Sequence, residues 1–205
     1  MARLDAVRTL WDPEHVDRSW IRERIQLIPR LIKIAKQARP DLRVAIGEYN
    51  FYAEKSQSGG IALAEVLGVF GVEGLDYAYY WNIPPKNSPA ADAFKLYRNY
   101  DGKGGSFGDY RLPVKIAKSN SDSGIAAFSS TNQARNQLTT VLINRSYDKS
   151  ARTVLRVSAK EKLVVKSAVL YLRDEHGFRN STISCADSCE VILPALTFGM
   201  IVMNI

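Results

Sequence analysis

The hydrophobic pattern of this 205-residue chain changes period once, and that change limits the folds open to it. Before Tyr100-Asp101-Gly102-Lys103-Gly104-Gly105, stretches with apolar residues at helical spacing alternate with short apolar runs. After that glycine-dense turn no helical period returns. Short β-rich runs follow instead, at 125–129, 138–144, 153–157, 166–172, 191–193 and 198–203, separated by Asn, Asp, Ser and Gly. Helices alternating with buried strands indicate βα units around a parallel sheet, whereas serial short strands with turns between them indicate a β-sandwich. The expected fold class is therefore α/β followed by all-β, with the boundary near residue 101.

The first half reads as helix, strand, helix, strand, helix. Asp12-Pro13 has the form of a helix start, with Val16, Trp20 and Ile21 following at roughly helical spacing. Trp20 is expected in the core. Ile28, Leu31, Ile32 and Ala35 form an i, i+3, i+4, i+7 stripe; Pro29 must sit in a first turn, which predicts a break near Gln26, and Pro40 ends the helix. Val44-Ala45-Ile46 is an apolar run of the kind a fully buried parallel strand shows. A polar loop to Gly60 leads into a helix over 61–70, apolar nearly all round, with Gly71 as its cap. Residues 75–81 read as a second strand and 90–98 as a short helix. Tyr77 and Tyr79 alternate with Ala78 and Tyr80, and at least one of them is expected to pack.

The first strand ends in Gly47-Glu48-Tyr49-Asn50. Ligands and chemistry collect at the carboxyl ends of parallel strands, so Glu48 is a catalytic candidate. The plainer role, a carboxylate that ends a strand and pairs with an arginine, is equally open on position alone. Tyr49, Asn50, Tyr52, Tyr80 and Trp81 lie near the same strand-end rim and offer stacking faces and hydrogen-bonding groups. Composition narrows the field little. The net charge of +7 is dispersed along the chain, which fits solubility better than a nucleic-acid footprint. No apolar run is long enough to span a membrane, and Met1-Ala2-Arg3-Leu4-Asp5 lacks the apolar core of a signal peptide. No cofactor is implied. Cys185 and Cys189, with His15 and His176, do not make a zinc set by spacing; the two cysteines are either a short disulfide or two free thiols.

Several stretches together resemble the carboxy-terminal part of glycoside hydrolase family 44, which comprises endo-β-1,4-glucanases and xyloglucanases. They are Thr9-Leu10-Trp11-Asp12-Pro13, Ile46-Gly47-Glu48-Tyr49-Asn50, Ser58-Gly59-Gly60-Ile61-Ala62, Leu67-Gly68-Val69-Phe70-Gly71 and 97–104. The match is dense from about residue 8 to 109 and thin beyond it. The resemblance implies that residues 1–100 are part of a (β/α)8 barrel and residues 101–205 a β-sandwich. It implies a retaining mechanism with Glu48 as nucleophile, Trp11 and Trp81 as aromatic platforms in the cleft, a β-glucan polysaccharide as substrate, and an extracellular intact enzyme. Family members usually carry Thr where this chain has Gly47.

The family's acid/base glutamate, in an Asn-Glu motif, has no counterpart here, and about half the barrel strands are missing. The chain is therefore expected to be a fragment whose amino-terminal barrel portion completes the same enzyme. Glu14, Glu54, Glu65 and Glu73 are the nearby carboxylates, and of these only Glu54 is placed to reach a cleft. A non-catalytic carbohydrate-binding module and a structural β-sandwich attached to a degenerate βα remnant are the competing readings.

Overall fold

The computed structural model describes residues 2–117, 124–159 and 163–205. Helix α3 (Gln57–Glu73) is the hub. Ser56 caps its start, its hydroxyl accepting from the Gly59 N–H at 3.2 Å, and Gly74 ends it at φ +72°. The cap expected at Gly71 lies instead within the last turn, because only Gly74 adopts the left-handed conformation a helix cap of this type needs. The helix is buried on every side, so its sequence carries no polar stripe. Two of its glycines allow close approach. A Cβ on Gly60 would meet Pro89 at 2.5 Å, at the start of α4 (Pro89–Arg98), and one on Gly68 would strike the Phe128 ring at 2.3 Å.

One side of α3 faces two parallel strands, β1 (Ala45–Tyr49) and β2 (Tyr77–Tyr80). The parallel pairing matches the expectation, but the burial does not. Ala45, Gly47 and Glu48 are exposed, because β2 alone flanks β1 among the described residues. Tyr77 and Tyr79 likewise point outward, at 45% and 60% exposure, while Ala78 and Tyr80 turn toward α3. Helix α2 (Leu27–Ala38) precedes β1, and it begins where Pro29 requires, one residue past Gln26. The helix expected after Pro13 is absent. Residues 11–26 are irregular, Asp12 accepts from the Glu14 N–H in a local turn, and Trp20 is 90% exposed rather than buried. Upstream, α1 (Ala2–Ala6) and a 3₁₀ turn (Val7–Leu10) run beside α3, where sequence periodicity gave no sign of them.

The second half is a six-stranded antiparallel sheet and a two-stranded one. The larger sheet runs β3 (Tyr110–Leu112), β4 (Ile125–Thr131), β5 (Gln137–Asn144), β10 (Thr197–Asn204), β7 (Ser167–Asp174), β8 (Gly177–Thr182). The smaller pairs β6 (Ala151–Leu155) with β9 (Cys189–Leu193). Strands β3 and β8 were not foreseen; both sit at the sheet edges and β8 is mostly polar, so neither shows the apolar run of a central strand. Alternation divides the central strands cleanly. Val141, Ile143, Phe198 and Met200 face α3 and α4, and Leu138, Leu142, Ile201 and Met203 face Val191 and Leu193 of the smaller sheet. One core therefore crosses the turn at residue 101. Two ion pairs reinforce it: Arg173 donates to Asp92 of α4 at 2.7 Å, and Arg145 to the buried Glu65 of α3 at 3.0 Å. Cys185 and Cys189 form a disulfide. Among the described residues no helix is long and apolar enough to cross a membrane.

Candidate active site at the carboxyl end of the parallel strands

Strand β1 carries one more residue than β2 between two of their paired positions. Ile46 pairs with Ala78 and Tyr49 with Tyr80, so Gly47-Glu48 opposes Tyr79 alone. This is a bulge, a device that re-aims a side chain at the end of a strand. Glu48 adopts φ +58° in it and projects into solvent. Two more non-glycine residues of the following loop are left-handed, Tyr52 at φ +56° and Ala53 at φ +54°. Each such residue costs roughly 1–2 kcal/mol, and it persists only where its surroundings over-determine it.

The surroundings do so. Arg3 donates from Nε to the Phe51 carbonyl at 2.7 Å and from Nη1 to Ser58 Oγ at 2.8 Å. The Tyr52 N–H donates to Asn50 Oδ1, and the Ser56 N–H to the Ala53 carbonyl at 2.8 Å. A Cβ on Gly59 would lie 2.2 Å from the Ala53 carbonyl oxygen, so the loop rests directly on the first turn of α3. The Ala90 N–H reaches the Glu54 carbonyl at 3.2 Å and ties the loop to α4. Arg3, Ser58 and Gly59 are the positions that sequence reasoning did not connect to the site. Ser58-Gly59-Gly60 stood out as a motif, but its contact with the loop 53 region exists only in three dimensions.

The expected site residues divide into three groups. Glu48, Tyr52 and Trp81 are exposed at the rim, the two aromatics at 74% and 55%, and the Trp81 N–H donates to the Tyr49 carbonyl at 3.0 Å. Tyr49 and Tyr80 turn inward. Their rings meet edge to face at 5.2 Å, with Phe70 and Phe94 completing the stack, and burial raises the Tyr49 hydroxyl well above its ordinary value. Asn50 binds protein: its Nδ2 donates to Glu54 Oε1 at 2.9 Å, and the Tyr80 hydroxyl donates to the same oxygen at 3.3 Å. Burial, then the charge of Glu54, pushes Tyr80 up to about 12. Trp11 is a correction. The 3₁₀ turn carries it along α3 to the carboxy-terminal half of that helix, where it lines a cavity of about 320 Å³ with Leu67, Val72 and Glu73. It does not share the Glu48 rim.

The hydrogen bond from Asn50 holds Glu54 below the usual carboxylate range. Burial pushes Glu65 up to about 6 despite Arg145, deep inside the core. Burial also raises Glu73, which sits at the end of α3, and Glu14 pairs with Arg24 at 3.3 Å. Among the described residues no group of three or more His, Cys, Asp or Glu side chains is placed to hold a metal ion.

The fold has counterparts among solved structures. The chain superposes on CelM2, a bifunctional glucanase-xylanase from a metagenome library, with a TM-score of 0.88 at 31% identity, over 99% of the chain and 39% of that structure. It superposes on the Paenibacillus polymyxa xyloglucanase of glycoside hydrolase family 44, solved with xyloglucan, with a TM-score of 0.85 at 29% identity, over 99% of the chain and 41% of that structure. The chain is related to the glycoside hydrolases of family 44. In sequence it is 33% identical over 161 residues to endoglucanase A of Paenibacillus lautus, a match that takes in 77% of the chain and 23% of the relative. The chain thus spans well under half of the relatives it matches. No family model matches it.

Proposed function

We propose that this chain is the nucleophile-bearing, carboxy-terminal portion of a retaining glycoside hydrolase that cleaves β-1,4-glucans such as cellulose or xyloglucan. Residues 1–100 are then the last part of a (β/α)8 barrel and residues 101–205 a β-sandwich. The amino-terminal barrel portion of the same enzyme supplies the other strands and the acid/base carboxylate. The observation that carries this reading is Glu48 itself: an exposed carboxylate, re-aimed by a bulge at the carboxyl end of a parallel strand, in a relative of family 44. The unpaired outer edge of β1 is where further barrel strands would add. The disulfide suits an extracellular enzyme, as a polymeric substrate requires.

In this role a Glu48 oxygen attacks the anomeric carbon while the acid/base carboxylate protonates the leaving oxygen. The glycosyl ester that forms is then hydrolysed by water, activated by the same acid/base group. Trp81 and Tyr52 present faces on which a pyranose ring can stack. The alternative, a module that holds glucan without cleaving it, has less support, since helices α3 and α4 cover one face of the large sheet and the small sheet covers the other.

The test is a 2-deoxy-2-fluoro cello-oligosaccharide with a dinitrophenyl leaving group. The fluorine slows both steps, and the activated leaving group lets only the first proceed, so the nucleophile is trapped. Mass spectrometry of the intact enzyme should find the label on the peptide holding Glu48. Glu48→Gln should lose several orders of magnitude in rate with an unchanged melting temperature, because no ester can form. Wild-type turnover in that variant would remove Glu48 from the mechanism.

A further inference from the structure

Glu54 has the wrong contacts for an acid and the right ones for a brace. One oxygen takes two hydrogen bonds, from Asn50 Nδ2 at 2.9 Å and from the Tyr80 hydroxyl at 3.3 Å. Asn50 lies two residues after Glu48, and its own Oδ1 accepts from the Tyr52 N–H. Tyr80 pairs across the sheet with Tyr49, the residue directly after Glu48. Glu54 thus joins the strand opposite the bulge to the loop that leaves it, and closes a ring through Tyr80, Tyr49 and Asn50. Tyr52 and Ala53, left-handed at +56° and +54°, lie in the loop this ring closes, and Glu48, at +58°, directly precedes it.

We propose that Glu54 is a positioning residue: it fixes the bulge that aims Glu48, and it takes no proton-transfer part in the reaction. The proposal rests on the reading of Glu48 as nucleophile. Its physical basis is geometric. A carboxylate that must attack one carbon in line gains from a fixed approach, and a displacement of about 1 Å can cost about 10²-fold in rate. The hydrogen bond from Asn50 holds the Glu54 carboxyl below its ordinary range, in keeping with the acceptor role its contacts give it.

Leaving-group kinetics separate the two roles. In the intact enzyme, glycosylation is timed with the dinitrophenyl 2-fluoro glycoside, which needs no acid, and turnover with an unactivated cello-oligosaccharide, which does. Glu54→Ala should slow both by about 10- to 100-fold, because a misaimed nucleophile is slow with any leaving group. Glu54→Gln should recover most of the loss, since its amide oxygen can still accept from Asn50 and Tyr80. If Ala and Gln both slow the unactivated substrate while the dinitrophenyl 2-fluoro glycoside still reacts at the unaltered rate, and azide restores turnover on the non-fluorinated dinitrophenyl glycoside, Glu54 is the acid/base group and the proposal fails. If Ala leaves both rates unchanged, it also fails. Should the Ala variant not fold, Tyr80→Phe removes one of the two donors, and an equal slowing with both leaving groups is the expected result. A label on a residue other than Glu48 in the unaltered enzyme would instead sink the underlying reading, which keeps the two failures distinct.

Discussion

The six-stranded sheet and the two-stranded parallel pair are built to opposite specifications. In the sheet, β5 and β10 are buried on both faces, pair in unbroken register over eight residues, and use nearly every side chain for packing. In the pair, β1 is half exposed, its register breaks at a bulge, and its exit loop holds left-handed residues that are not glycine. The first arrangement yields stability and the second spends some of it. That division is what a site needs: a carboxylate can be held in an unfavourable conformation only if something rigid holds it, and α3 is the element that transmits the rigidity. Its inner face packs on the sheet, and its first turn supports the loop after Glu48.

The largest effect should come from breaking the transmission. Phe198 in β10 is fully buried where the sheet meets the helices. Phe198→Ala should cost about 3–5 kcal/mol. Because one core crosses residue 101, melting should remain a single transition that moves as a whole. Two transitions in calorimetry, one shifted and one not, would mean that the halves fold independently.

Why the sheet was readable in advance and the loop was not follows from the same contrast. Burial on both faces writes itself into β5 and β10 as apolar runs, and burial all round writes itself into α3. Strand β3, with three residues, and the polar β8 bury too little to leave a pattern. Glu48 could be picked out from its place at the end of a strand. The bulge beneath it could not, because Gly47-Glu48 is a register statement about two strands. Trp11 was misplaced for a related reason: a motif gives proximity in sequence, and the 3₁₀ turn at 7–10 decides which end of α3 it reaches.

A middle-sized effect tests the polar tie between helix and sheet. Glu65 is 1% exposed and its carboxyl is raised from 4.5 to about 6, chiefly by burial. The folded state therefore holds a proton between these values that the unfolded chain has released. Stability contributed by this proton is fully present below pH 4.5 and is lost as pH rises toward 6, by about 2 kcal/mol at 1.36 kcal/mol per unit. Denaturant melts across pH 4 to 7 should show that slope, and Glu65→Gln should flatten it. An unchanged slope in the variant would assign the dependence to other groups.

The smallest effect is the sharpest comparison, since it applies one substitution to both regions. Ala53 sits at φ +54° in the loop, and its carbonyl, not its side chain, makes the contacts with Ser56 and Gly59. Glycine there removes a left-handed penalty of roughly 1–2 kcal/mol and adds about 0.5–1 kcal/mol of unfolded-chain entropy, so Ala53→Gly should stabilise by about 0.5–1 kcal/mol. Ala168 sits in β7, 2% exposed, in the core between the two sheets. There Ala168→Gly loses a buried methyl as well as backbone entropy and should destabilise by about 1–2 kcal/mol. Opposite signs in paired denaturant melts are the signature of strain confined to the loop. If both substitutions destabilise, the left-handed backbone at residue 53 is held at no cost, and the account of the loop as a strained element braced by α3 and Glu54 loses its energetic half.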